Sequence, residues 1–144
     1  MDRMEPIIYE VLGQPVAKGR ARSVQRGKFI AHVTPDKTRM AEQSFLAQAL
    51  PYKPAMPLEG PLKVSLAFIM QIPESKSKKW KGSAMAGAIM PCGKKNDLDN
   101  LAKTALDAMN QVFYEDDGQI VVLDLVKVYG GVPKTIVRIE MLGV

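Results

Sequence analysis

The sequence predicts a mixed α+β (α/β) domain, a single sheet of about four or five strands with two main helices packed on it. Three observations carry that expectation. Leu62, Val64, Leu66, Phe68 and Met70 alternate with Lys63, Ser65 and Ala67, the period of two expected of a strand with one buried face. Leu101, Ala105, Ala108 (or Met109) and Val112 recur instead at helical spacing and keep an apolar stripe on one side. The segments follow in the order strand, strand, helix, strand, helix, strand, strand, which describes one sheet with two helices packed on it.

Taken in order, Ile7–Leu12 reads as a strand closed by Gly13 and Pro15. The basic segment KGRARSVQRGK follows, with Gly27 turning the chain into a short strand FIAHV. Thr34 offers a cap and Pro35 a first-turn residue for a helix to about Leu50. The run PYKPAMPLEGP, with its prolines, is a loop before the alternating strand at 62–70. Residues 73–96 show no regular period and read as a long basic loop. A helix is expected from about Asp99 to Gln111, then an acidic turn, the apolar strand IVVLDLVKVY, and a last strand at 135–142 with Val137, Ile139 and Met141 inward.

The length of 144 residues suits one domain with one core, spanning 1–144. With 47% hydrophobic and 24% charged residues the chain is globular rather than disordered. No apolar run approaches the roughly 20 residues that cross a bilayer, and MDRMEPIIYE lacks the apolar core of a secretory signal. No membrane association is expected. One cysteine, Cys92, excludes an internal disulfide, and one histidine, His32, leaves no zinc-finger set. A cytoplasmic setting fits. The net charge of +5 is uneven: eight of the 20 Lys and Arg fall in residues 1–39 and six in 76–95, flanking a segment, 97–124, that holds seven of the 15 acids. Basic patches around an acidic centre suit a polyanionic partner better than a uniform surface would.

That acidic centre holds Asp97 and Asp99 in NDLDNLAK and Asp116 and Asp117 in YEDDGQ. Asp97 and Asp99 share a direction only if DLD is extended, running into a helix capped by Asp99 or Asn100. Lys103 and Asp107 then follow Asp99 at steps of four, on one helical face. The acidic turn is expected to fold back toward the helix start or the sheet's edge. Clustered carboxylates repel unless a cation lies among them, and Mg²⁺ favours a few carboxylates, water and phosphate oxygens. Such an ion polarises a phosphodiester and activates water, while a lysine stabilises developing negative charge. The alternative reading is a cap, an exposed lysine paired with Asp107 and a polar turn, and spacing leaves both open. An EF-hand loop is not matched, for the glycine at its sixth position and the closing glutamate are missing.

Two basic stretches stand beside this centre. In AKGRAR, Lys18, Arg20 and Arg22 alternate with small residues, which suits a phosphate backbone if the segment is extended, or an edge strand guarded by charge. Lys76, Lys78, Lys79 and Lys81 surround Trp80, and Lys94 and Lys95 lead into Asp97. Trp80 is a core anchor for its segment or a platform for an opened base. Cys92 and His32 carry no assigned role.

The runs NDLDNLAKTALDAMN…VFYEDDGQIVVL and GQPVAKGRAR resemble the signature of the RusA family of Holliday-junction resolvases. The resemblance spans about Gly13 to Val128 and is densest at 96–121. It implies a Mg²⁺ site of Asp97, Asp99 and Asp117, with Asp116 beside them, and Lys103 as the essential lysine; Mn²⁺ is expected to substitute. Asp107 also falls where the family usually has Asp. MPCGKKND departs from relatives that often carry a histidine there, a change that touches a DNA contact and no metal ligand. The implied activity is a structure-selective endodeoxyribonuclease resolving four-way junctions by paired symmetric nicks, with branched DNA as partner. Because the junction is two-fold symmetric and one chain has one carboxylate cluster, a homodimer is expected. Alternatives are a metal nuclease for other branched DNA, such as flaps or forks, and a non-catalytic nucleic-acid-binding protein.

Overall fold

The computed structural model describes residues 5–19, 22–33, 35–93 and 95–143. The main sheet has four strands in the order β1 (Ile7–Leu12), β6 (Lys134–Met141), β4 (Leu62–Gln71), β5 (Ile120–Gly130). The pairs β1–β6 and β6–β4 are antiparallel, whereas β4 and β5 run parallel. A parallel pair needs a crossover; here it carries α2 (Lys78–Met85) and α3 (Leu98–Met109). Helix α1 (Asp36–Ala49) packs on α3 and β1.

The period-two reading of residues 62–70 is met along β4, where Leu62, Val64, Leu66, Phe68 and Met70 are buried and the residues between are half-buried. Val137 and Ile139 of β6 and Tyr9 and Val11 of β1 face the same way. Leu101, Ala105, Ala108 and Met109 of α3, with Phe45 and Ala49 of α1, close that face. Tyr9 centres the aromatic part of the core, stacked on Tyr52 and Phe113 at 5.2 and 5.4 Å, with its hydroxyl directed at Met109 Sδ. Burial pushes the Tyr9 phenol above its ordinary range, and the neighbouring Tyr114 adds to the shift.

Four details depart from the sequence expectations. FIAHV does not join the sheet: it forms β3 (Phe29–Val33), paired only with β2 (Arg22–Arg26) in a separate two-stranded ribbon turned at Gly27, φ +62°. Helix α1 begins at Asp36 with Pro35 in the capping position, the fixed proline φ meeting an extended ψ; Thr34 lies outside the described residues. The basic segment 73–96 is not all loop, since α2 forms in it. Its cap is Ser77, whose hydroxyl accepts the Trp80 amide at 3.1 Å, and Trp80 meets Tyr129 edge-on at 5.5 Å. Trp80 is half-buried and ties α2 to β5, as the anchor reading required. Lastly, DLD is not extended: Asp97 is the N-cap, helix α3 starts at Leu98, and Asp99 sits in the first turn.

Candidate active site

Helix α3 displays the candidate residues. The chain enters it through Asn96, which holds a left-handed φ of +61° that asparagine tolerates better than most residues. The Asn96 carbonyl accepts the Lys127 amino group from β5 at 3.1 Å, fixing the helix start beside the later half of that strand. Asp97 then caps by backbone alone, with no side-chain bond to its own helix. Its carboxylate and that of Asp99 are exposed at the end where free N–H groups and the helix dipole favour negative charge. The lysine four residues on, Lys103, is exposed and pairs loosely with Asp107 Oδ1 at 3.7 Å.

The acidic bend is built at the other end of the helix. Asn110 leaves α3 in an extended conformation and Gln111 takes φ +66°, turning the chain back. Tyr114 is fully buried and donates its hydroxyl to the Leu106 carbonyl at 2.6 Å. Burial, then the charges of Asp117, Asp107 and Asp116 in that order, raise the Tyr114 phenol above its ordinary range. The turn proper is a short 3-10 helix, Asp117–Gln119. Asp116 accepts the Gly118 amide at 2.8 Å, so its carboxylate is spent on the turn. Gln119 accepts the Asp116 amide and donates to the carbonyls of Leu58 and Gly60, pinning the bend to the loop before β4. Asp117 is exposed, and among the described residues neither it, Asp97 nor Asp99 has an ion-pair partner.

These carboxylates therefore fall into two groups. The rise of a helix sets the N-cap of α3 about 14 Å from Leu106, and the bend lies at the Leu106 end and the start of β5. Among the described residues, no three His, Cys, Asp or Glu side chains come together as one cation site. Of the two positions the sequence allowed for the bend, it takes the sheet edge rather than the helix start. The donor chemistry of Asp97, Asp99 and Asp117 suits a hard cation, but their placement in one chain does not give a three-carboxylate cage.

The basic residues divide as well. Lys18 is not a free cation: its amino group pairs with Glu42 of α1 at 2.5 Å and Asp107 of α3 at 3.2 Å. Its backbone amide bonds the Asn100 carbonyl, and the next amide, of Gly19, bonds Thr38 Oγ1. Burial alone would depress the Lys18 amine, but the hydrogen bonds and charges of Glu42 and Asp107 outweigh it and hold the pKa above 10.5. Lys18 thus locks the entering segment across the α1–α3 joint. Arg20, Lys94 and the Arg22 and His32 side chains lie outside the described residues. In and beside α2, Lys76 lies 5.1 Å over the Trp80 ring and Lys81 pairs with Glu74 at 3.4 Å. Lys78, Lys79 and Lys95 are exposed with no ion pair among the described residues. Cys92 is exposed and free.

Sequence reasoning missed three contributors. Glu42 carried no local motif, Lys127 looked like an ordinary strand lysine, and Asn96 acts through its backbone. An asparagine immediately before a capping aspartate was the one available signal for the left-handed turn. No helix is long and apolar enough to cross a membrane among the described residues.

Comparison with known proteins agrees with this geometry. The model of the family described as Endodeoxyribonuclease RusA matches residues 13–140. The chain is also similar to a protein of Bacillus subtilis (strain 168) named Uncharacterized protein YqaN, with 35% identity over 141 residues, covering 95% of this chain and 97% of that one. From the capped aspartate pair on α3 to the acidic turn before β5, the chain belongs to the RusA family of endodeoxyribonucleases.

Proposed function

We propose that the protein is a Mg²⁺-dependent, structure-selective endodeoxyribonuclease that resolves Holliday junctions by paired symmetric nicks as a homodimer. The observation that carries this reading is the set of exposed aspartates, Asp97, Asp99 and Asp117, left without cationic partners, while Asp107 and Glu42 nearby are neutralised by Lys18. A fold that needed only a cap and a turn has no use for three uncompensated charges beside a basic chain; a cation-and-phosphate site does. Family membership supplies the substrate class.

In this reading Asp97 and Asp99 offer two carboxylates for a divalent cation, with Mn²⁺ able to replace Mg²⁺; such an ion, when bound, polarises the scissile phosphate. Lys103 stands one helical turn from Asp99 with its amino group exposed, placed to offset charge that builds on the phosphate. Asp117 belongs to the site, and Asp116 serves it by shaping the turn. Lys78, Lys79 and Lys95 contact phosphates, and Arg20, Arg22 and Lys94 extend that surface. Lys76 and Lys81 take part through α2, and Lys18 by fixing the entering segment.

The experiment is cleavage of a synthetic four-way junction, a flap, a fork and a nicked duplex by purified protein in Mg²⁺ and Mn²⁺. Preferential nicking of the junction is expected, with loss of nicking but not of junction binding in Asp97→Asn and Asp99→Asn. Equal cutting of every branched substrate would favour a general branched-DNA nuclease. Binding without cleavage by the wild type in either ion would leave only a DNA-binding protein.

A further inference from the structure

The division of the carboxylates within one protomer has a geometric complement in β5. This strand is the edge of the sheet, eleven residues long and without proline. Its apolar side chains are uncovered: Val121 is 62% exposed and Val126 43%. Proteins ordinarily blunt such an edge with charge, bulges or brevity, because its free N–H and C=O groups template another strand. The two charged side chains of β5 do not guard it, for Asp124 pairs with Lys63 and Lys127 is held by the Asn96 carbonyl.

The two half-sites flank the two ends of this same edge. Asp117 immediately precedes Ile120, where β5 begins, and Asp97 follows Asn96, tied to Lys127. Along the strand these points stand about 23 Å apart, but antiparallel neighbours are only about 5 Å apart. A two-fold axis near Leu123 and Asp124 lays the start of one β5 beside Lys127 of its partner. Each acidic bend is then brought to the DLD segment of the other chain, twice, by symmetry. Pairing at the β1 edge would join neither half-site.

We propose, on the basis of the metal-nuclease reading above, that the chain dimerises by antiparallel pairing of β5 with β5 of a second copy, and that each cation site is shared. Asp97 and Asp99 come from one protomer and Asp117 from the other. The dimer carries two such sites, matching two opposed nicks.

Mixed dimers test this. Asp97→Asn/Asp99→Asn and Asp117→Asn chains, each inactive alone, are co-expressed with different tags and the mixed dimer isolated. A shared site leaves one of two sites intact, so the mixed dimer nicks at about half the wild-type rate per dimer, one strand per junction. Sites confined to one chain leave both damaged, and a mixed dimer that does not nick while the wild type does overturns the proposal and leaves the nuclease reading standing. A second readout needs no activity: light-scattering mass and Mn²⁺ binding of Val121→Lys/Leu123→Lys, with circular dichroism to verify folding. Both positions are exposed, so the protomer keeps its fold. A monomer that binds Mn²⁺ at least tenfold more weakly than the wild type is expected. Retained dimerisation, or a monomer with unchanged Mn²⁺ affinity, refutes sharing even should the wild type prove inactive on DNA.

Discussion

Replacing Gln119 by alanine removes three hydrogen bonds at once: the Asp116 amide to Oε1 at 2.9 Å, and Nε2 to the Leu58 and Gly60 carbonyls at 2.8 and 3.0 Å. Each such bond contributes a net ~1 kcal/mol, less where water substitutes for the lost partner. The Leu58 carbonyl is partly buried, whereas the Asp116 and Gly60 bonds are exposed. We therefore expect a loss of about 2 kcal/mol rather than 3. At 144 residues, a kilocalorie moves the melting midpoint by about 4 °C, so Gln119→Ala should melt about 8 °C below wild type. Differential scanning calorimetry, with urea unfolding to verify an unchanged m-value, measures it. Because the bend positions Asp117, nicking should fall further than stability accounts for at 25 °C. A midpoint within 1–2 °C of wild type would refute the claim that Gln119 holds the bend.

Further outcomes follow from other contacts. Lys18 has a raised pKa in the folded state, so its stabilisation is complete below the unfolded value near 10.5 and is lost as pH rises through the folded value. Wild-type stability should therefore fall above about pH 10.5, and Lys18→Met should lower stability at pH 7 while flattening that alkaline decline, as seen in pH-dependent urea melts. Gly19→Ala sets a methyl 2.9 Å from Pro35 Cγ and 3.0 Å from Thr38 Oγ1, and should cost about 1–2 kcal/mol by thermal melting. Lys78→Ala and Lys79→Ala should each reduce the slope of log K against log salt for junction binding by about 0.9, without altering base preference. Trp80→Ala should lower stability by about 2–3 kcal/mol, through the lost contact with Tyr129, rather than change junction affinity selectively.

Strong periodicities were legible in the sequence and local competitions were not. Alternation at 62–70 and the stripe of Leu101, Ala105 and Ala108 each report one buried face, and β4 and α3 follow them closely. FIAHV has strand composition, yet composition cannot say which partner a strand takes; its tight turn at Gly27 delivers it to β2. The helix at Lys78 escaped notice because eight lysine-rich residues show no clear stripe, and its support comes from the Ser77 cap and the distant Tyr129. The site residues were legible by type, as D-x-D and an acidic bend. Their separation was not, since it depends on α3 running its full length between them and on the parallel register that starts β5 beside Leu62. Lys18 illustrates the same limit: a basic stripe suggests phosphate, but Glu42 and Asp107 arrive from two different helices to engage it.

The most direct test of the account is a single assay: wild-type protein, a four-way junction with each strand labelled in turn, and Mg²⁺ or EDTA. Nicks at symmetry-related positions of two opposed strands, present only with the cation, are what the account predicts. A junction that is bound yet left intact in Mg²⁺ and in Mn²⁺ would contradict it.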